Sequence, residues 1–306
     1  MLLGACVAGS ADDESDDPAS TGSGTAIADT EASGEASSAG SSESAEADST
    51  TDTEGSSGQD EASSESSEAD STTDAEGSES AGATTGGREL PRVLFIGNSY
   101  TFFNDLPALV ANVTASVGQE WETGAQAIGG ATVETHLFDP GTATLLAEGW
   151  DVVVLQGQSV EPIFQTLVFE AAVVDFAALV EAESPGAELL LFETWARGEG
   201  SEVLDQLMMT AEEMQQGLSE GYAGAAEAAS AEVVPVGQAW ALALGEVPPP
   251  MLHTGDLSHP NLTGSFLTAC MFSIALTGEP ATANAHVPDG LDAALADTME
   301  IIADQI

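Results

Sequence analysis

Five short apolar runs, spaced so that a helix fits into each interval, constrain this chain more than any other feature. They fall at 93–96, 121–127, 152–155, 188–192 and 232–236. Between and after them, the stretches 106–117, 164–183, 203–229, 261–276 and 291–302 are long enough and periodic enough for helices. Strands that alternate with helices need crossover connections, and crossovers place neighbouring strands parallel with helices over both faces of the sheet. The expected fold is therefore α/β, a three-layer α/β/α sandwich on a five-stranded parallel sheet, confined to residues 88–306.

The chain ahead of position 88 cannot join that fold. Residues 7–87 consist almost entirely of Ser, Thr, Ala, Gly, Asp and Glu, with one Val, one Ile, one Pro and no aromatic side chain. So little apolar area cannot offset the entropy of ordering a backbone, and a disordered acidic linker is expected there. Within it "EADSTTDTEGS" at 46–56 recurs as "EADSTTDAEGS" at 68–78. A solenoid repeat needs an apolar face to stack, so this one reads as duplicated linker, with O-linked sugars an open possibility.

Residues 1–6 read "MLLGAC", and Leu3-Gly4-Ala5-Cys6 resembles the lipobox of bacterial lipoproteins, in which a cysteine after small residues receives lipid. Met1 to Leu3 supply neither the charged nor the apolar part of an export signal. The expectation is a signal that begins upstream of Met1, Cys6 as lipid anchor, and a cell-surface or periplasmic location, with secretion the alternative. The other cysteine, Cys270, lies in the apolar pattern "SFLTACMFSIAL" and reads as a small core residue. No disulfide framework and no cysteine metal site follow.

Charge excludes two classes of partner. The formal net charge is -49, with 52 acidic residues against three arginines and no lysine. Such a surface repels nucleic acid and anionic lipid, leaving membrane attachment only through the possible lipid anchor. It points to a neutral or cationic substrate, or to a salt-tolerant surface.

Two short segments carry candidate chemistry. In "RVLFIGNSYTFF" Ser99 follows the first strand on a Gly-Asn turn, at the sheet edge where reactive groups collect in open α/β folds. By itself it could equally cap the next helix. In "GDLSHPNLTGSF" Asp256 stands three residues before His259 on a Gly- and Pro-punctuated loop. A serine hydroxyl needs a base to take its proton, and the base works better when a carboxylate orients it. The same Asp-x-x-His could instead be a metal pair or a helix cap.

Taken together, "FIGNSYTFFNDLP", "GGATVETHL", "VVVLQGQS" and "DLSHPNLTG", in that order, resemble the SGNH or GDSL-like hydrolase superfamily, especially a bacterial branch with Gly-Asn-Ser in its first block. The resemblance spans nearly all of 92–276 and implies a flavodoxin-like fold without a cofactor or metal. It implies Ser99 as nucleophile, His259 as general base and then acid, and Asp256 as its orienting carboxylate. The Gly-x-Ser-x-Gly pentapeptide of the α/β-hydrolases is absent.

The resemblance also implies an oxyanion hole from the Ser99 amide, the Gly129-Gly130 turn with Gly130 as donor, and an amide side chain after the third strand. The family uses an asparagine there, and this chain offers Gln158 first and Gln156 next. Asn98, Gly129, Gln156 and Trp195 are the candidate substrate contacts, Trp195 for stacking on a sugar or acyl group with core packing as its alternative. His136 lines the site or sits on a helix surface, while His253 and His286 have no assigned role. The functional expectation is an exported serine esterase removing an acyl group, such as acetyl, from a carbohydrate or small-molecule ester. A non-catalytic glycan-binding protein on the same fold, or a lipase or thioesterase of the superfamily, is the alternative. Acyl chain and oligomeric state are not legible.

Overall fold

The structure, a computed structural model, describes residues 90–306; the readings for 1–6 and 7–87 lie outside the described residues. Strands β1 (Arg92–Gly97), β2 (Glu122–Ala127), β3 (Val152–Leu155), β4 (Glu188–Phe192) and β5 (Glu232–Val234) form one sheet. Its order is β2-β1-β3-β4-β5 and every pairing is parallel. This is the flavodoxin-like order, whose reversal of direction falls between β1 and β3.

Alternate residues of each central strand enter different cores, which is what makes three layers. Val93, Phe95, Val152, Val154, Leu190 and Phe192 face one side. Leu94, Ile96, Val153, Leu155, Leu189 and Leu191 face the other. The short helices α1 (Ser99–Phe102), α3 (Val133–Leu137), α4 (Pro140–Leu146), α5 (Glu161–Phe164) and α7 (Glu202–Leu207) intersperse the longer α2 (Leu106–Ser116), α6 (Thr166–Glu183) and α8 (Ala211–Ala229). They are followed by α9 (Val236–Leu244), α10 (Leu262–Thr277) and α11 (Ala293–Ala303). Helices α2, α9, α10 and α11 pack on the first face, and α3, α4, α6 and α8 on the second. Cys270 is fully buried in the first of these cores, as a small apolar residue would be.

Two boundaries differ from the sequence expectation for local reasons. The helix expected over 203–229 is two, because Met208 turns left-handed at φ 53° and Thr210 starts afresh with a capping box to Glu213. The fifth strand stops at Val234 because Pro235 cannot donate to a ladder, and the chain goes directly into α9. Edge strand β2, "ETGAQA", has few apolar side chains and is held from its neighbour. Arg92 Nε donates to Glu122 Oε1 at 3.1 Å, its guanidinium lies 4.1 Å over the Trp150 ring, and that ring packs where Gly124 has no side chain.

Candidate active site

The site is assembled around the end of β1. Gly97 is required there by space: a Cβ would fall 2.4 Å from Thr101 Oγ1 and 2.6 Å from Gln156 Oε1. Asn98, only 4 % exposed, then ties three loops together. Its Nδ2 donates to the carbonyls of Ala131 at 3.1 Å and Gly157 at 3.3 Å, while Oδ1 accepts from Tyr100 N and from Gln156 Nε2 at 2.8 Å. The contact to Tyr100 N caps α1, so the capping role belongs to Asn98. Ser99 is the residue after the cap, half-buried, its hydroxyl not engaged in capping.

That hydroxyl lies 2.9 Å from His259 Nε2, and His259 Nδ1 lies 2.5 Å from Asp256 Oδ2. The other carboxylate oxygen of Asp256 accepts from Thr254 Oγ1 at 2.8 Å and from the amides of Ser258 and His259, each at 2.9 Å. Burial pushes the Asp256 carboxyl up, but the hydrogen bonds from His259, Thr254 and Ser258 outweigh it and hold the group well below the usual carboxylate range. Leu257, left-handed at φ 58°, bends the chain so that Asp256 and His259 meet on one side of the turn. Neither residue caps α10, since Asn261 does so by accepting from Gly264 N.

Trp195, marked in the sequence for another role, and Tyr100, Phe103 and Asn104, which no sequence signal marked, hold this loop. Trp195 Nε1 donates to Ser258 O at 3.0 Å, and the Tyr100 hydroxyl lies 3.0 Å from Ser258 Oγ. Phe103 lies flat on the His259 ring with centroids 4.3 Å apart, and Tyr100 meets the same ring edge-on. Asn104, at φ 54°, donates to Pro260 O at 3.1 Å. Their side chains reach the Asp256–His259 loop from the segments after β1 and β4, a relation that exists only after folding.

Several candidate contacts take different roles. Trp195 is 1 % exposed and stacked between Trp240 and Tyr100, so neither of its faces is available to a substrate. Gln156 is fully buried and its amide is consumed by Asn98, Thr101 and Gly157, which removes it as a substrate contact or oxyanion donor. Asn98 is likewise a brace beneath the site. His136 lies in the core behind the site, with Nε2 2.8 Å from Gly97 O, and burial lowers its pKa. His253 is pinned to Ala196 O at 3.1 Å with its pKa also lowered by burial.

The candidate oxyanion groups keep free donors. Gly130 sits exposed at φ 72°, a conformation a glycine adopts without strain. Among the described residues no protein acceptor takes the N–H of Ser99, Gly129 or Gly130. Gln158 uses its Oε1 to accept from Val160 N at 2.9 Å, which turns its NH2 group outward from that contact. Its backbone is fixed by Glu161, whose Oε2 accepts the Gln158 amide at 2.9 Å and also the Val133 amide.

A five-stranded flavodoxin-like sheet with a serine, a histidine and an aspartate strung along its carboxyl edge is the arrangement of SGNH-like hydrolases, and this chain is related to that superfamily. No family model and no curated protein sequence matches it. Among solved structures, a DUF4886 family protein from Bacteroides uniformis superposes with a TM-score of 0.64 at 18% identity, over 71% of this chain and 94% of the other. A proposed SGNH hydrolase from Slackia heliotrinireducens superposes at 0.54 with 27% identity, over 61% of this chain and 99% of its own.

Proposed function

We propose that the protein is a serine esterase using Ser99, His259 and Asp256. The observation that carries this reading is the unbroken chain from Ser99 Oγ to His259 Nε2 and from Nδ1 to Asp256. His259 Nε2 takes the Ser99 proton as Oγ bonds to the ester carbonyl carbon. Asp256, held ionised by its donors, fixes the tautomer and stabilises the imidazolium. Collapse of the tetrahedral species breaks the bond to the alkoxy oxygen, which leaves with the proton from His259. Water, deprotonated by the same nitrogen, then releases the acid and restores Ser99. The Ser99 and Gly130 amides and the Gln158 amide group are assigned to the developing oxyanion, each such donor contributing about 3 kcal/mol in comparable sites.

Phe103 is stacked on the ring of His259 and Phe102 on Phe103, so two aromatic rings crowd the side of the base. That crowding favours a short acyl group, such as acetyl, on a carbohydrate or other small alcohol. Export, with Cys6 as lipid anchor, belongs to the same proposal and rests on the sequence alone. The test is hydrolysis of acetyl, butyryl and decanoyl esters by the wild type and by Ser99→Ala. Turnover that favours acetyl and falls roughly a thousandfold or more in the variant is expected. Unchanged hydrolysis by Ser99→Ala removes the nucleophile, and a preference for decanoyl removes the short-acyl assignment.

A further inference from the structure

The described residues contain two arginines, and they are treated differently. Arg92 meets the carboxylates of Glu122 and Glu148. Arg197, in the loop after β4, has no carboxylate within 4.0 Å among the described residues, in a chain where acidic residues outnumber basic ones 52 to 3. Its Nη2 donates to the neutral hydroxyl of Ser159 at 2.7 Å, and its Nε is buried without a partner. A guanidinium partly removed from water and left without an anion costs free energy, and with so many carboxylates available the missing partner is informative.

Its position supplies the missing term. Ser159 immediately follows Gln158, so Arg197 borders the loop carrying a proposed oxyanion donor. The guanidinium also lies 5.9 Å from the centre of the Tyr100 ring, whose other contacts include the edge-on His259 ring at 5.7 Å. Arg197 thus neighbours the Tyr100 ring that also reaches His259, in the loop after β4 at the carboxyl edge of the sheet, and is half-buried.

Resting on the esterase reading, we propose that Arg197 is a specificity-determining residue that binds a carboxylate carried by the ester substrate. The net charge disfavours anions at long range, but Arg197 is a local positive charge with no carboxylate within 4.0 Å among the described residues. A guanidinium whose charge no carboxylate offsets, and whose Nη2 meets only the neutral Ser159 hydroxyl, suits a carboxylate on the substrate. The acidic surface slows the approach of such a substrate, while Arg197 retains it once it has arrived.

Matched ester pairs test this in 0.5 M NaCl, where a Debye length of about 4 Å suppresses the long-range repulsion. The pairs are phenyl acetate with 4-acetoxybenzoate, and 4-nitrophenyl butyrate with 4-nitrophenyl hemisuccinate. They place the carboxylate on the alcohol side and on the acyl side respectively. The wild type should favour the charged member of one pair by about 10-fold or more in kcat/KM, mainly through KM. Arg197→Met should abolish that preference, lowering the charged ester of that pair about 10-fold or more beyond any change in its neutral partner, and Arg197→Lys, which keeps the charge if Met does not fold, should retain part of it. Equal rates for both members of both pairs, or an equal loss on neutral and charged esters in Arg197→Met, would overturn the proposal and leave the esterase reading standing. If no ester is hydrolysed, the esterase reading fails instead. Calorimetric titration of the Ser99→Ala protein with 4-acetoxybenzoate then decides on Arg197 alone: heat of binding that disappears in Ser99→Ala/Arg197→Met supports it, and no difference between the two overturns it.

Discussion

The two edges of the sheet use their arginines in opposite ways. At the amino edge Arg92 has its charge paired: Nε meets Glu122, Nη1 donates to the carbonyls of Glu148 and Gly149, Nη2 lies 3.8 Å from the Glu148 carboxylate, and Trp150 covers its face. At the carboxyl edge the polar groups are held but incompletely used, including the N–H groups of Ser99 and Gly130, the NH2 of Gln158 and the Nε of Arg197. Where the polar groups are fully paired, the arrangement serves stability; where donors are fixed in place and left open, it serves binding and chemistry.

Ser99→Ala breaks this contrast most sharply. Turnover should fall roughly a thousandfold or more, equivalent to about 4 kcal/mol of transition-state stabilisation, while the melting temperature stays within a degree or two of wild type. A melting temperature that falls with activity would mean that Ser99 braces the fold, as the residues beneath it do. The next largest effect belongs to Asn98→Asp, which faces a carboxylate with the carbonyls of Ala131 and Gly157 and removes both donors. A loss of about 3 kcal/mol in denaturant unfolding is expected. A loss under about 1 kcal/mol would remove Asn98 as the tie between loops.

Arg92→Ala sharpens the comparison from the other edge. It should cost about 1–2 kcal/mol of stability and leave kcat/KM at 25 °C unchanged, because its partners are distant from Ser99. Impaired catalysis at full folding would show that the edges are coupled. The smallest effect concerns pH. Burial raises the carboxyl pKa of Glu193 and of Glu161 above the ordinary glutamate value. The folded state therefore binds protons more tightly than the unfolded chain, so their contribution is fully present below the unfolded pKa and is lost as pH rises through the folded one. Burial of His136 and His253 lowers their pKa values and acts in the opposite sense over the same window, so the test is a difference: the melting temperature of Glu193→Gln relative to wild type should be higher at pH 7 than at pH 5. The lowered Asp256 pKa acts in the opposite sense and only in stronger acid, its contribution being lost as pH falls below the unfolded value towards the folded one.

Strand and helix order were legible because β1 and β3 are buried on both faces and so read as unbroken apolar runs. Ser99, Asp256 and His259 were legible as candidates because their chemistry is tied to residue type and to position after a strand or on a punctuated loop. Gln156 was misread, and Trp195, left open between stacking on a substrate and core packing, takes the second, for one shared reason. Each follows a strand at the correct edge, but whether a side chain there points into the cleft or beneath it depends on packing against Tyr100, Trp240 and Asn98. Arg197 passed unmarked because an arginine in a loop carries no signal until its missing partner is visible in three dimensions.

The edge strand β2 holds a consequence for heating. It is the least apolar strand, it pairs only with β1, and it leads directly into Gly129 and Gly130. Elements with little buried apolar area open locally well before the whole domain does. Warming should therefore loosen the glycine turn while Ser99, His259 and Asp256, mounted on β1 and the loop before α10, keep their alignment. Inactivation would then precede unfolding, and the temperature at which the enzyme stops working would report the fraying of one strand, not the melting of the domain.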